Sequence, residues 1–168
     1  WKNVDYSGDM NDGATIGDTG CGPVAMSMVA SQINGRDITP TELSRYAIES
    51  GNRDNTGTNW NFISNAANAY GINSTRLTPN VNTIDNEIDK GNPVILSGTS
   101  DGSGRSAYTT AGHYVVAVGR DNAGNIIIND PRGKSYSGKY NENKLLRQTG
   151  SAWSFGRGAS GPTSTTGT

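Results

Sequence analysis

The chain has 168 residues, a formal net charge of −1 and 17% charged residues. This length fits one domain, and the near-neutral charge gives no reason to expect binding to nucleic acid or to an anionic membrane surface. No apolar run is long enough to span a bilayer, so membrane insertion is not expected. The single cysteine excludes an internal disulfide, so the fold depends on its packed core alone.

Helical patterns fill the first half of the chain. Thr39 and Glu42 form a capping box around a proline, which predicts a helix start, and Gly35 ends the helix before it. Trp60 falls on the apolar side of a third helix and is therefore expected in the core. The predicted helices cover residues 22–33, 39–50, 59–70 and 83–90.

The second half of the chain changes to short β-branched runs bounded by turn residues. The segment 121–124 is typical of a hairpin connection between two of these runs. Helices followed by strands favour an α+β fold. The predicted strands are 72–77, 93–97, 113–118, 125–129 and 152–155, with a brief helix over 140–147.

The composition shifts near the C-terminal end of the chain. From Gly156 onward Gly, Ser, Thr and Pro dominate, which is typical of a flexible tail or linker. We therefore expect one domain over residues 1–155 and a tail over 156–168. Because the chain begins at Trp1 rather than Met, we also expect it to be tethered to a further domain in a parent protein.

Cys21 lies between two glycines at the predicted start of the first helix. Pro23 suits the first helical position, where its missing N–H costs nothing. A helix N-terminus favours an anion, so a thiolate at Cys21 would be stabilised and reactive. The alternative is a small buried apolar residue, which is the commonest role of a free cysteine.

His113 is the only histidine, and it begins the predicted strand 113–118. A cysteine nucleophile needs a base, and imidazole has a suitable pKa for that task. Asp130 ends the partner strand, so the hairpin brings it within reach of His113, where it can orient the imidazole. The alternatives are a structural, hydrogen-bonded histidine and an aspartate that opens a turn before Pro131. The pattern favours a Cys-His-Asp hydrolase site.

A catalytic metal is not expected, because one histidine and one cysteine leave too few good zinc ligands. No phosphate-binding loop is present either, and no cofactor is implied. The many Asp and Asn residues in loops leave an incidental calcium site open.

Three segments carry a resemblance to a known family: Gly20–Pro23, Ala111–Val116 and Asn129–Gly133. Together they resemble the papain-like cysteine peptidases of the bacteriocin-leader (double-glycine) type, in the branch found in bacterial and phage cell-wall lytic enzymes. The similarity extends over roughly residues 1–135. It implies a papain-like fold, with N-terminal helices packed on a C-terminal antiparallel sheet.

The resemblance also implies roles for individual residues. Cys21 would be acylated, His113 would act as general base and Asp130 would orient it. The backbone N–H of Cys21 would supply part of the oxyanion hole. The wider family often carries a glutamine six residues before the cysteine as the second donor, whereas this chain has Thr15 there. The other candidates for that donor are Asn3, Tyr6 and Asn11.

For the substrate, the resemblance implies peptidoglycan stem or cross-bridge peptides. The protein would then act as a bacterial or bacteriophage cell-wall lytic enzyme (an endolysin), outside the cell or at the cell wall. The alternatives are a peptidase that processes a protein or leader peptide, an amidase acting on the glycan–peptide bond, and a non-catalytic module that binds cell-wall peptide. A structural interaction module of a phage tail or surface protein is a further alternative.

Overall fold

The computed structural model describes residues 2–4, 6, 15, 20–54, 57–58, 60–102, 106–109 and 112–157. The chain divides into two compact units, which we call the helical unit (Trp1–Ser74 with Gly156–Thr168) and the sheet unit (Thr75–Phe155). The predicted tail beyond Arg157 lies outside the described residues.

The helical unit is built around its first helix, α1. This helix is buried along most of its length and packs against α2 and α3. Met26 of α1, Leu43 of α2 and Phe62 of α3 are all fully buried, so the three helices share one apolar core. The elements of this unit are α1 (Cys21–Asn34), α2 (Pro40–Glu49), the short antiparallel strands β1 (Arg53–Asp54) and β2 (Gly57–Thr58), and α3 (Asn61–Ala69).

Local signals in the sequence set the ends of these helices. The backbone N–H of Glu42 donates to the Thr39 hydroxyl at 3.1 Å, which is the N-cap bond that the sequence predicts. Gly35 ends α1 in the left-handed conformation, with φ of 66°. The core position predicted for Trp60 is wrong. Trp60 precedes the first residue of α3 and is 48% exposed, because the core side of that helix is formed by residues such as Ile63.

The sheet unit contains most of a six-stranded sheet with the order β3-β8-β4-β5-β6-β7. The pairs β4–β5, β4–β8, β5–β6 and β6–β7 are antiparallel, which confirms the α+β fold class. The remaining elements of the chain are β3 (Ile72–Leu77), α4 (Val81–Asp89), β4 (Val94–Gly98), β5 (His113–Arg120), β6 (Asn125–Asn129), β7 (Gly138–Asn141), α5 (Glu142–Arg147) and β8 (Thr149–Arg157).

The chain after β6 differs from the prediction. The helix predicted over 140–147 begins only at Glu142, because the residues before it form β7, which pairs with β6. Asn141 caps the helix by accepting a hydrogen bond from the N–H of Lys144 at 2.9 Å. Asn141 is thus both the last residue of the strand β7 and the N-cap of the helix that follows.

The strand register places His113 at one end of the sheet. His113 pairs with Gly98, the last residue of β4. A Cβ atom at Gly98 would collide with the backbone oxygen of Gln148 and with the ring of Tyr108, so this position requires glycine. The close approach brings the ends of β4 and β5 against the turn that precedes β8.

The core of the sheet unit lies between the sheet and its two helices. Ile84 from α4 and Leu145 from α5 pack with strand residues such as Leu96 and Val115 in one buried apolar cluster. This cluster holds the strands that carry His113 and Asp130 in a fixed arrangement. In the described part of the chain, no helix has the length and apolar character needed to cross a lipid bilayer.

Candidate active site

Cys21 is the first residue of α1, directly after the N-cap Gly20, and is half-buried. The first helical hydrogen bond runs from the N–H of Val24 to the oxygen of Gly20 at 3.0 Å, so the amides of Cys21 and Gly22 precede it. No acidic side chain occupies the first turn of α1. The partial positive charge of this helix end therefore acts on the thiol without an offsetting carboxylate from the first turn itself.

Pro23 is the third residue of α1 rather than the first, so the position predicted for it is wrong. Cys21 and Gly22 already have helical conformation, so the helix begins two residues before the proline. The proline remains compatible with the helix, since the first four N–H groups of a helix have no intrahelical acceptor.

His113 and Asp130 meet at the end of the hairpin formed by β5 and β6. His113 is the first residue of β5, and Asp130 directly follows β6. The Nε2 atom of His113 lies 2.8 Å from Oδ1 of Asp130. The side chains are 6% and 0% exposed, so this contact is shielded from water. The hairpin thus brings the aspartate to the histidine, as its position in the sequence predicts.

Asp130 is held as a carboxylate. Burial pushes the pKa of Asp130 upward, but hydrogen bonds from His113 and Arg132 outweigh it, and the pKa lies below its ordinary value of 3.8. An ionised carboxylate only accepts hydrogen bonds, so Nε2 of His113 carries a proton and donates it to Asp130. The Nδ1 atom is then the nitrogen with a lone pair in the neutral imidazole.

Arg132 also belongs to this cluster, although no role is predicted for it from the sequence. Its Nη2 donates to Oδ2 of Asp130 at 2.8 Å, and its Nε and backbone N–H both donate to Oδ1, at 3.1 and 2.8 Å. The backbone contact is an Asx-type turn, in which an aspartate accepts from the residue two positions ahead. An arginine at that position, directly after Asp130-Pro131, is the sequence signal that could have identified the pair.

The second oxyanion donor stays a prediction. Asn3 is exposed, and Thr15 is half-buried. Tyr6 is fully buried, and its backbone oxygen accepts from Nε of Arg53 at 2.9 Å. The remaining candidate, Asn11, lies outside the described residues.

A cavity of about 370 Å³ opens beside the end of β4. It is lined by Thr99, Asp101, Lys144, Arg147 and Gln148. Two cationic side chains and one carboxylate therefore border it, and it lies one residue from the pairing of Gly98 with His113. Within the described ranges, no three His, Cys, Asp or Glu side chains are grouped so that they could hold a metal ion.

The sequence and the fold are similar to those of known proteins. The sequence profile of the family described as "Peptidase_C39 like family" matches residues 2–157. The peptidase domain of Streptococcus ComA, a bifunctional ABC transporter involved in quorum sensing, has a similar fold, with a TM-score of 0.61 and 22% identity over 81% of this chain and 90% of that domain.

A second solved structure, a protein from Bacillus anthracis described as a C39-like peptidase, superposes with a TM-score of 0.60. The identity is 17% over 82% of this chain and 88% of the other. At these identities the similarity shows the fold alone. No curated protein sequence gives a significant match.

Proposed function

The chain belongs to the Peptidase C39-like family, and on that premise we propose that Cys21, His113 and Asp130 together hydrolyse an amide bond. The family makes it a cysteine peptidase of papain-like fold. The observation that carries the proposal is the shielded 2.8 Å hydrogen bond between His113 and Asp130, which gives the single histidine the geometry of an oriented base.

In this mechanism, His113 accepts the thiol proton at Nδ1, since Nε2 donates to Asp130. The thiolate of Cys21 attacks the carbonyl carbon of the substrate, and the backbone N–H of Cys21 stabilises the oxyanion that forms. The imidazolium then returns the proton to the leaving amine, which leaves an acyl-enzyme thioester. Water, deprotonated by His113, hydrolyses the thioester and restores the thiol.

The substrate that we propose is a peptidoglycan stem or cross-bridge peptide, cleaved at the bacterial cell wall by a domain tethered to a larger lytic enzyme. The motifs around Cys21, His113 and Asp130 support it, because they resemble those of cell-wall lytic enzymes. The cavity beside β4 also supports it. Stem peptides carry free carboxylates, and Lys144 and Arg147 offer cations for such groups.

A leader peptide is the second candidate substrate. It is favoured by the similar fold of the ComA peptidase domain, which belongs to a bifunctional ABC transporter. In that case too, the domain would be tethered to a larger protein. The two candidates differ in the bond that is cut, so the products distinguish them.

The roles of Cys21 and His113 are tested by Cys21→Ala and His113→Ala. We expect both variants to lose hydrolysis of purified bacterial cell walls or of a synthetic double-glycine leader peptide, whichever the wild type cleaves. Cys21 is half-buried at a helix end, so its loss should leave the unfolding temperature nearly unchanged. Ser64→Ala, on the outer side of α3, is the matched control and should retain full activity. Turnover by Cys21→Ala would contradict the proposal.

The substrate is tested by mass spectrometry of the products released from both probes. New amino termini in the released cell-wall peptides would support the cell-wall proposal. Cleavage of the leader peptide alone would contradict it and favour the second candidate. Binding to cell walls without any product would indicate a non-catalytic domain.

A further inference from the structure

The contacts of Arg132 point to a role that the hydrolytic residues do not provide themselves. The guanidinium donates to both oxygens of Asp130, from Nε to Oδ1 and from Nη2 to Oδ2. The same Nη2 also donates to the backbone oxygen of Ala107 at 2.8 Å. The guanidinium carbon lies over the ring of Tyr136, 3.9 Å from the ring centroid. The arginine is thus itself held in place on three sides.

We propose that Arg132 is a positioning residue of the peptidase: it fixes the Asp130 carboxylate in the orientation that holds His113 for catalysis. The inference rests on the proposed role of Asp130. Of the hydrogen bonds that the carboxylate accepts from side chains, one comes from His113 and the others come from Arg132. Without the guanidinium, Oδ2 would lose its donor and the carboxylate could rotate away from the imidazole.

The charge of Arg132 has a second consequence, which is separable from its geometry. The titratable groups that act on Asp130 include His113 on β5 and Arg132 in the following turn, and the phenols of Tyr136 and Tyr140 interact electrostatically with the guanidinium. A nearby cation favours deprotonated neighbours. Arg132 therefore keeps Asp130 ionised in acid.

The experiment measures the rate at which iodoacetamide alkylates Cys21 as a function of pH, which needs no knowledge of the substrate. In Arg132→Met the positive charge is gone, so the neighbouring groups hold their protons to higher pH. We expect the profile to move upward by about one pH unit. Cleavage of the substrate found for the wild type should fall by at least about tenfold, because the base is less firmly oriented.

Arg132→Lys separates charge from geometry. Lysine keeps the cation but cannot make the two-point contact with Asp130. We expect its alkylation profile to stay within a few tenths of a pH unit of the wild type, whereas hydrolysis falls as in Arg132→Met. A merely structural arginine would not produce this split.

The matched control is Arg120→Met at the other end of β5. Arg120 makes a two-point contact of the same kind with Asp89, at 2.9 Å for both bonds, about 23 Å along the strand from His113. Its loss should leave the alkylation profile unchanged. Should Arg132→Met fail to fold, as judged by circular dichroism, Arg132→Lys provides the decisive comparison.

A folded Arg132→Met with the alkylation profile and hydrolysis rate of the wild type would overturn the role of Arg132 and leave the triad intact. So would an Arg132→Lys variant with full activity. A wild-type thiol that reacts only above about pH 8, the range of an ordinary cysteine, would instead overturn the triad and this inference with it.

Discussion

Two clusters around buried carboxyl groups in the sheet unit each contain an arginine, and yet the pKa of the buried carboxyl group shifts in opposite directions in the two. In the first, Asp130 lies between His113 and Arg132, and its pKa is depressed. In the second, Glu142 at the start of α5 is 4% exposed. Burial and the neighbouring Asp85 raise the pKa of Glu142 from 4.5 to about 8.

The two pKa shifts differ because different groups face the two carboxyl side chains. Asp130 receives its donors from both sides, including the guanidinium, so its negative charge is compensated. Glu142 faces a second carboxylate instead. Arg120, which could compensate it, makes its short contacts with Asp89 and lies 3.7 Å from Asp85. The arginine is thus engaged elsewhere, and Glu142 remains protonated near neutral pH.

Two buried oxygens of the second cluster lack a hydrogen-bond donor among the described residues, which fits a protonated Glu142. Oδ1 of Asp85 and Oε2 of Glu142 are buried and have no hydrogen-bond donor in the described part of the chain. A proton held by Glu142 turns its carboxyl group into a donor toward Asp85, which compensates part of this deficit. Of the two buried carboxyl groups compared, the one whose pKa is depressed is the one that a guanidinium contacts directly.

The largest expected effect is on the rate of hydrolysis, which should depend on the first cluster and not on the second. Asp130→Ala removes the acceptor that orients His113, and hydrolysis should fall by about 10²- to 10⁴-fold. Asp85→Asn in the second cluster should leave the rate unchanged. Initial rates on the same substrate, with folding checked by circular dichroism, make the comparison. An Asp130→Ala variant within twofold of the wild type would remove the distinction.

The second cluster should affect the free energy of unfolding rather than the rate of hydrolysis. Because folding raises the pKa of Glu142 from 4.5 to about 8, the folded state binds more protons than the unfolded state over that range. The free energy of unfolding should therefore fall as the pH rises from about 4.5 to 8, by up to a few kcal/mol. Glu142→Gln keeps a donor toward Asp85 and does not titrate, so it should lose this dependence.

Urea unfolding of the wild type and Glu142→Gln at pH 5 and pH 8 measures the effect. The variant should be the more stable of the two at pH 8, and the difference should shrink at pH 5. Glu49→Gln, at an exposed position on α2, is the control and should follow the wild type. Parallel curves for wild type and Glu142→Gln would show that Glu142 is ionised in the folded protein.

The smallest effect concerns the support of the first cluster. Tyr136 is 44% exposed and stacks on Arg132. Tyr136→Ala should lower the free energy of unfolding by about 0.5–1 kcal/mol, the usual size of an exposed cation–π contact. Tyr136→Phe keeps the ring and should match the wild type in urea unfolding. Equal losses in both variants would assign the effect to the hydroxyl group instead.

Much of the fold could be predicted because its signals are local. The cap at Thr39, the left-handed glycine at Gly35 and the hairpin over 121–124 each depend on residues a few positions apart. The hairpin prediction alone brings Asp130 to His113, since antiparallel strands joined by a short turn must end side by side.

The rest depends on contacts that no local pattern contains. Trp60 has the spacing of a core residue, but the start of α3 leaves it half exposed. The Arg132 motif is visible in the sequence, whereas its bond to Ala107 joins residues 25 positions apart. The proton on Glu142 likewise requires α4 and α5 to bring two carboxyl groups together.

By itself, the sequence determined the order and approximate extent of the main helices and strands, the placement of Cys21 at a helix N-terminus and the pairing of His113 with Asp130. These follow from capping, turn chemistry and hydrophobic period, which act over a few residues. Only the tertiary structure decided which carboxyl groups are charged. The ionisation of a buried group depends on burial and on the charges packed around it, and those neighbours come from distant parts of the chain.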